Sequence, residues 1–242
     1  MVPIAYFDLP SRELAQQQAG WLAPARARLL RRVHVARRRR VLDLGCGHGL
    51  VSGELARRSG GPVVAVDRNR QALAEDCRPF GGAARICADA TRLPFPAGRF
   101  DLVFCQFVFL WLDALAAARE VHRVLQPGGV LVAIEPDYAG MIEHPAEIAT
   151  RRLWLSVLAR EGGDPEVGRK LPGLLSAGGF QVRVDLLDRL TPPSAARFDL
   201  LGELPLTNEE RQSLDRLRAA DAACDDNRRV VHLPMFLVTA VK

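Results

Sequence analysis

Four stretches of this chain place glycines, a carboxylate or an amide directly after an apolar run, where each could meet a small ligand. The first is Val41-Leu42-Asp43-Leu44-Gly45-Cys46-Gly47-His48-Gly49. Glycine reaches positive φ without strain and lets backbone N–H groups approach a ligand, and a helix starting there adds partial positive charge. The spacing is G-x-G-x-G, with Leu50 where a dinucleotide fingerprint carries its third glycine, so a pyrophosphate ligand is weakened but stays open. The second stretch, Val63-Val64-Ala65-Val66-Asp67, ends in a carboxylate that could accept both hydroxyls of a ribose or cap the next helix. The third, Cys87-Ala88-Asp89-Ala90, again sets an acid after an apolar run, where it could accept from the exocyclic amine of adenine. The fourth, Phe100 to Gln106, is a central run whose exit faces the same cleft.

Holding these groups together requires parallel strands that all end on one edge. From residue 41 onward short apolar runs alternate with longer amphipathic ones, the pattern of an α/β fold with a largely parallel sheet. Strands are expected at 41–44, 63–66, 84–87, 102–105, 130–135, 180–187 and 233–241. Helices are expected at 50–58, 71–78, 114–125 and 146–160. Leu115, Ala118, Val121 and Leu125 recur at helical spacing, and Pro127-Gly128-Gly129 should stop that helix and turn the chain into a strand. Residues 12–33 carry an apolar stripe interrupted by Pro24, which predicts two short helices. The segment 191–230 reads as an insertion between the last two strands, with Thr207 and Glu210 spaced as a capping box.

The segments VLDLGCGHG, VVAVDRN, CADATRLPFPAGRFDLVFCQ and EVHRVLQPGGVLVAIE together resemble, in order and spacing, the class I S-adenosylmethionine-dependent methyltransferases, of the small-molecule, methyltransferase type 11-like kind. The resemblance spans residues 38–188. It implies a Rossmann-like α/β fold, a seven-stranded, mostly parallel sheet with the last strand antiparallel, plus helical lid segments. It also implies S-adenosylmethionine as cofactor and S-adenosylhomocysteine as product. Carried onto this sequence, Asp43 would orient the amino group and Gly45, Cys46 and Gly47 would approach the methionine moiety. Asp67, with Arg68 beside it in the cofactor set, would hold the ribose. Asp89 and the N–H of Ala90 would meet adenine, and Gln106 would form the wall below the sulfonium. The expected organisation is a single methyltransferase domain over 1–242: helical cap 1–40, cofactor core 41–190, helical insertion 191–230 and final strand 231–242.

Methyl transfer from a sulfonium is an in-line displacement in which alignment and exclusion of water carry most of the catalysis. A base is required only if the acceptor must lose a proton. Asp137, Tyr138 and His144, which follow the fifth strand, are the base candidates by position, with His144 and Tyr138 entered as catalytic. His34 and His232 are further options, His122 reads as a surface residue on its helix, and His48 as a contact to cofactor or solvent. Glu135-Pro136-Asp137-Tyr138 and residues 163–172 look like a small-molecule subgroup of the family. The amino-methylating Asn/Asp-Pro-Pro-Tyr/Phe turn of nucleic-acid enzymes is missing, since that position reads Cys105-Gln106-Phe107-Val108. A small acceptor is therefore preferred over RNA or protein, and a cofactor-binding member without catalysis stays open.

Composition sets the remaining bounds. At 242 residues, 48% hydrophobic and 25% charged, the chain falls in the range of globular domains and outside that of disordered ones. The longest uncharged apolar run, residues 102–112, is too short to span a membrane, and no secretory signal is visible at the start. The five cysteines, Cys46, Cys77, Cys87, Cys105 and Cys224, show no metal-ligand spacing, so no metal site and a reduced, cytoplasmic protein are expected. The net charge of +5 is local: eight arginines lie between Arg26 and Arg40 with no acid among them. Because only Lys170 and Lys242 are lysines, the patch reads as a compositional, solvated helix face, which argues against nucleic acid; a homodimer is left open. The N-terminal segment (Tyr6, Phe7, Trp21, Leu22) and the insertion (Phe198, Leu200, Leu201) supply apolar residues for a lid that orders over a hydrophobic or aromatic acceptor.

Overall fold

The computed structural model describes residues 9–74, 78–187 and 194–242. Its sheet is built from β1 (Val41–Leu44), β2 (Val63–Asp67), β3 (Ala84–Cys87), β4 (Phe100–Gln106), β5 (Leu125–Pro136), β7 (Gln181–Leu186) and β9 (Met235–Val241), in the order β3-β2-β1-β4-β5-β9-β7. The five strands β3 to β5 run parallel, while β9 lies antiparallel between β5 and β7. The central strands are buried on both faces, hence their near-continuous apolar sequences. Alternation along β4 sorts its side chains: Val103 and Cys105 enter one core cluster, Leu102 and Phe104 the other.

The helices are α1 (Arg12–Arg32), α2 (Leu50–Arg58), α3 (Arg70–Ala74), α4 (Ala114–Val124), α5 (Arg151–Arg160), α6 (Val167–Ala177), α7 (Ala196–Gly202) and α8 (Asn208–Ala223). Pro24 does not split α1, contrary to the sequence expectation. An interior proline costs about 3 kcal/mol, but Leu22, Leu29 and Leu30 are fully buried against the sheet, each worth roughly 1.5–3 kcal/mol. Burial holds the helix together across the proline.

The helix expected over 146–160 is also revised. Residues Ala146–Ile148 form a single 3-10 turn, and α5 begins only at Arg151. Its start is fixed from outside: the Glu143 carboxylate accepts from Thr150 N and Oγ1, both at 2.8 Å, and from Arg151 N at 2.9 Å. A carboxylate at a helix N-terminus satisfies orphan donors and complements the dipole. Pro127-Gly128-Gly129 lies inside β5, where Gly128 N donates to Lys242 O and Gly129 O accepts from Lys242 N, both at 3.0 Å. The helix expected over 71–78 is described as α3 followed by a 3-10 turn at Arg78–Phe80; residues 75–77, Cys77 among them, lie outside the described residues.

One pairing has no sequence signal at all. Strand β6 (Ile142–His144) pairs antiparallel with β8 (Val230–His232), tying the segment after β5 to the insertion. Among the described residues no helix is long and apolar enough to cross a membrane, and no cluster of three or more His, Cys, Asp or Glu could hold a metal ion.

The arginine run is a solvated face in large part, with Arg28, Arg31, Arg37, Arg39 and Arg40 exposed, but several of its members also bond to the body. Arg26 is buried against Glu54 at 2.7 Å, Arg32 pairs with Asp185, Arg39 Nη1 donates to Gly60 O and Arg40 bonds Gln126. The buried Asp101 organises the entry to β1, with Oδ2 accepting from Arg39 N at 2.7 Å and Oδ1 from Arg40 N at 3.1 Å. Its own carbonyl accepts from Arg38 Nη1 at 3.0 Å. Removing that carboxylate leaves two backbone donors without partners, at about 1–3 kcal/mol. Asp101→Ala is therefore expected to lower the urea unfolding midpoint by a corresponding amount, and an unchanged midpoint would contradict this role.

Candidate functional site

A cleft of about 240 Å³ opens at the C-terminal edge of β1, β2, β3 and β4. Its floor at one end is the glycine turn. Gly45 has φ +68, and a Cβ there would overlap the Val108 side chain, so only glycine fits. The amides of this turn do not point at a ligand. Gly45 N and Cys46 N both donate to Val66 O, at 2.8 and 3.0 Å, and Gly47 N donates to Asp67 Oδ2 at 2.8 Å. Asp67 Oδ1 accepts from Asn69 N at 2.8 Å, so one carboxylate bridges the two loops that flank the cleft. The helix-capping alternative for Asp67 is taken by its neighbour: Asn69 Oδ1 accepts from Ala72 N at 3.0 Å.

Asp43 sits beneath the turn, buried, with Oδ2 accepting from Ser52 Oγ at 2.5 Å. Burial and, less, nearby Asp67 push its carboxyl up, against Ser52 and Arg26, to about 7. Burial also pushes the Cys46 thiol up, so it stays protonated. Arg26 reaches in from α1, its guanidinium donating to Glu54 Oε2 at 2.7 Å and to Ala19 O and Gln106 Oε1 at 3.1 Å. That bond fixes the amide of Gln106 in the cleft wall. Arg26 was hidden in the sequence among seven neighbouring arginines, with no spacing to single it out. At the far end Arg68, Ala88, Asp89 and Ala90 line the cleft, and Asp89 Oδ1 accepts from Thr91 N and Oγ1 at 2.8 Å.

The other half of the cleft is apolar. Val108, Leu110, Trp111, Trp154, Leu200 and Leu204 line it, together with Tyr138, whose ring stacks on Trp154 at 4.6 Å. Burial, helped by Glu135, pushes the Tyr138 phenol up. It is a neutral hydrogen-bond donor rather than a base. Behind the wall, buried Glu135 accepts from Val108 N at 2.8 Å and Phe109 N at 3.0 Å, and burial holds its carboxyl near 7. Phe107 just before them has φ 58, a strained value for a non-glycine residue at the edge of the cleft.

His144 is not brought to the site. It is exposed on β6, outside the cleft lining, because the β6–β8 pairing carries it onto the two-stranded sheet. Asp137 is engaged with Arg169 Nε at 2.7 Å and Gly140 N at 3.2 Å. His34 and His232 also lie outside the lining, and His122 is half-buried edge-on against Phe180 rather than a surface residue. His48 is the one histidine in the wall, with Nε2 3.0 Å from Pro10 O.

The cover is packed into the body. Leu9 lies over Gly47, and Ser11 N donates to Glu203 Oε2 at 2.7 Å, joining the start of α1 to the end of α7. Of the expected lid residues Leu200 lines the cleft, but Phe198 and Leu201 are buried in the core and Leu22 and Trp21 pack on the opposite face of the sheet. Asp221 of α8 pairs with Arg197 at 2.6 Å and Arg229 at 3.1 Å within this cover. Tyr6 and Phe7 lie outside the described residues.

Residues 42–133 match the family model described as a methyltransferase domain. The matched stretch, under half of the chain, is similar to a methyltransferase domain and carries the strands whose ends form the cleft. It is 39% identical over 104 residues to a malonyl-[acyl-carrier protein] O-methyltransferase of Enterobacter lignolyticus, covering 43% of this chain and 41% of that protein. It is 29% identical over 182 residues to the mitochondrial arginine-hydroxylase NDUFAF5 of Rattus norvegicus, covering 72% of this chain and 52% of that one. The matches thus span about half or less of these relatives' length. Among solved structures, the geranyl diphosphate C-methyltransferase of Streptomyces coelicolor A3(2), in complex with S-adenosyl-L-homocysteine, superposes with a TM-score of 0.57 at 18% identity, over 91% of this chain and 79% of that one. At that identity the likeness is one of fold.

The raised Asp43 carboxyl has a consequence for stability. Its folded value of about 7 lies above the ordinary 3.8, so between these limits the unfolded chain has lost a proton that the folded one keeps. Stability contributed by this group therefore falls as pH rises from about 4 to about 7, and is constant beyond. Asp43→Asn abolishes the titration. Ligand-free Asp43→Asn is expected to gain stability relative to the parent between pH 5 and pH 8 by chemical denaturation; a pH-independent difference would contradict the buried carboxyl.

Proposed function

We propose that this domain binds S-adenosylmethionine in the cleft and transfers its methyl group to a small, apolar or aromatic acceptor. The observation that carries the reading is the sign of the glycine-turn end. Its amides are consumed by Val66 and Asp67, and two carboxylates, Asp43 and Asp67, stand there instead. Such a site repels a pyrophosphate and suits a ligand with a sulfonium and an ammonium group. Bound there, the cofactor would supply a methyl on a positively charged sulfur, ready for displacement.

In this reading Asp43 orients the amino group, Gly45, Cys46 and Gly47 abut the methionine moiety, and Gln106 closes the wall below the sulfur. Each oxygen of Asp67 accepts one backbone bond and keeps a second lone pair, so the ribose hydroxyls can donate to it. Asp89 and Ala90 meet adenine, with Arg68 at their side. The acceptor lies against Trp111, Trp154 and Tyr138, and the Tyr138 hydroxyl donates to its polar atom. Trp111, Trp154 and Tyr138 would align the acceptor's lone pair with the methyl and exclude water, and the sulfur would leave with the carbon–sulfur pair. The described wall of this half holds no ionised base, which favours an acceptor that needs none.

The pairing of Arg26 with Glu54 and of Arg32 with Asp185 takes two cations out of the arginine run, which weakens the argument for RNA and supports a small acceptor. The free thiols Cys46, Cys87, Cys105 and Cys224 support a reducing, cytoplasmic setting. The relatives' malonyl-carrier and arginine substrates are theirs by name; this cleft's aromatic wall argues for a less polar acceptor.

Loss of the Asp67 hydrogen bonds should cost about 1.5–3 kcal/mol of binding, roughly tenfold or more in affinity. Asp67→Ala is thus expected to weaken S-adenosylmethionine in calorimetric titration while circular dichroism stays that of the parent; unchanged affinity would remove the assignment. Mass spectrometry of candidate acceptors then reads the chemistry directly. A gain of one CH2 supports methyl transfer, and a gain of one oxygen would replace it with hydroxylation.

A further inference from the structure

Strand β7 ends the sheet, and no strand among the described residues pairs with its outer edge. Leu187 N donates to Met235 O at 3.0 Å, so by antiparallel alternation the odd-numbered residues of β7 bond to β9. The N–H and C=O groups of Val182, Val184 and Leu186 consequently point outward, unclaimed by β9. The same three side chains share one face. Val182 packs against the core, but Val184 is 39% exposed and Leu186 51%, two of the three large apolar residues that are exposed among those described. The opposite face carries Arg183 and Asp185.

An open edge is normally blunted by charge, and here the two charges have opposite sign and flank Val184. A second copy related by a two-fold axis would pair antiparallel with this edge, and the sequence selects one register. With Val184 opposite its own copy, Val182 faces Leu186 and every outward N–H and C=O on both strands finds a partner. In that register Arg183 lies opposite Asp185, giving two opposite-charge cross-strand pairs. Shifting the axis to residue 183 opposes two arginines, and to residue 185 two aspartates; both registers also pair fewer outward groups. The apolar side chains then form one strip, with Val184 and Leu186 of each copy covered by the other. We infer that β7 is a self-recognising edge through which two copies of this chain join their sheets about Val184. The two clefts stay open, since β7 lies at the far side of β9 and β5 from the glycine turn.

Sedimentation equilibrium on the full chain tests this. The parent is expected to be a dimer at micromolar concentration. Leu186→Lys, at a site exposed in the single chain, should raise the dimer dissociation constant by roughly tenfold or more. Arg183→Asp and Asp185→Arg should each weaken self-association, because each sets like charges opposite one another. Mixed in equal amounts, these two variants should form a heterodimer, since every cross-strand pair is again of opposite sign. Circular dichroism checks that each variant is folded; should Asp185→Arg fail that check after losing Arg32, Leu186→Lys and Arg183→Asp decide alone. A monomeric parent, a dimer indifferent to the folded variants, or folded charge variants that do not recover on mixing would overturn the proposal.

Discussion

The bridge made by one carboxylate, Asp67 between Gly47 N and Asn69 N, sets the character of the whole cleft. A glycine-rich turn at the end of a buried strand usually offers its amides to an anion. Here the carboxylate from the next strand takes one of those amides, and the carbonyl of Val66 takes two more. Donors are thereby withdrawn and negative charge put in their place. Asp43, directly below, adds a second acid in a setting that makes ionisation costly. A carboxyl poised in this way gains most when a cation arrives, so the cleft sets an electrostatic demand that a sulfonium and an ammonium group would satisfy.

The same economy governs the cover. Helix α1 is joined to the cleft wall through Arg26 and Gln106 and to α2 through Glu54, while its start is tied to α7 through Glu203. Phe198, Leu201 and Leu214 of the insertion belong to the main core. These contacts pack the described cover against the body, and a preorganised site loses less conformational entropy on binding. The apolar half inherits its shape from this packing. Glu135, by holding the turn at Val108 and Phe109, positions part of that wall without touching the cleft itself.

What was legible in the sequence was what short-range chemistry controls. The strands β1 and β3 and the helix α2 fall at their expected limits, because apolar runs bounded by glycine or charge leave little choice. The Thr207 and Glu210 box forms in both directions, with Glu210 N to Thr207 Oγ1 at 3.2 Å and Thr207 N to Glu210 Oε2 at 2.9 Å. Cleft residues from Asp43 to Gln106 come together because parallel strands must end on a common edge. What the sequence hid was long-range. Nothing local shows that Glu143 caps α5, that α1 survives Pro24, that β8 carries His144 away from the site or that Arg26 alone of the arginine run is buried. Each depends on a partner many residues distant, and local periodicity carries no record of it.

The central claim is that two carboxylates at the glycine turn make this cleft a receptor for a cation. Calorimetric titration of S-adenosylmethionine against pH tests it most directly, because Asp43 must ionise to act. The account predicts affinity that rises from pH 6 to pH 8 and levels off above the Asp43 value of about 7, with the rise lost in Asp43→Asn. Affinity that is flat with pH, or tighter binding of NAD than of S-adenosylmethionine, would contradict it.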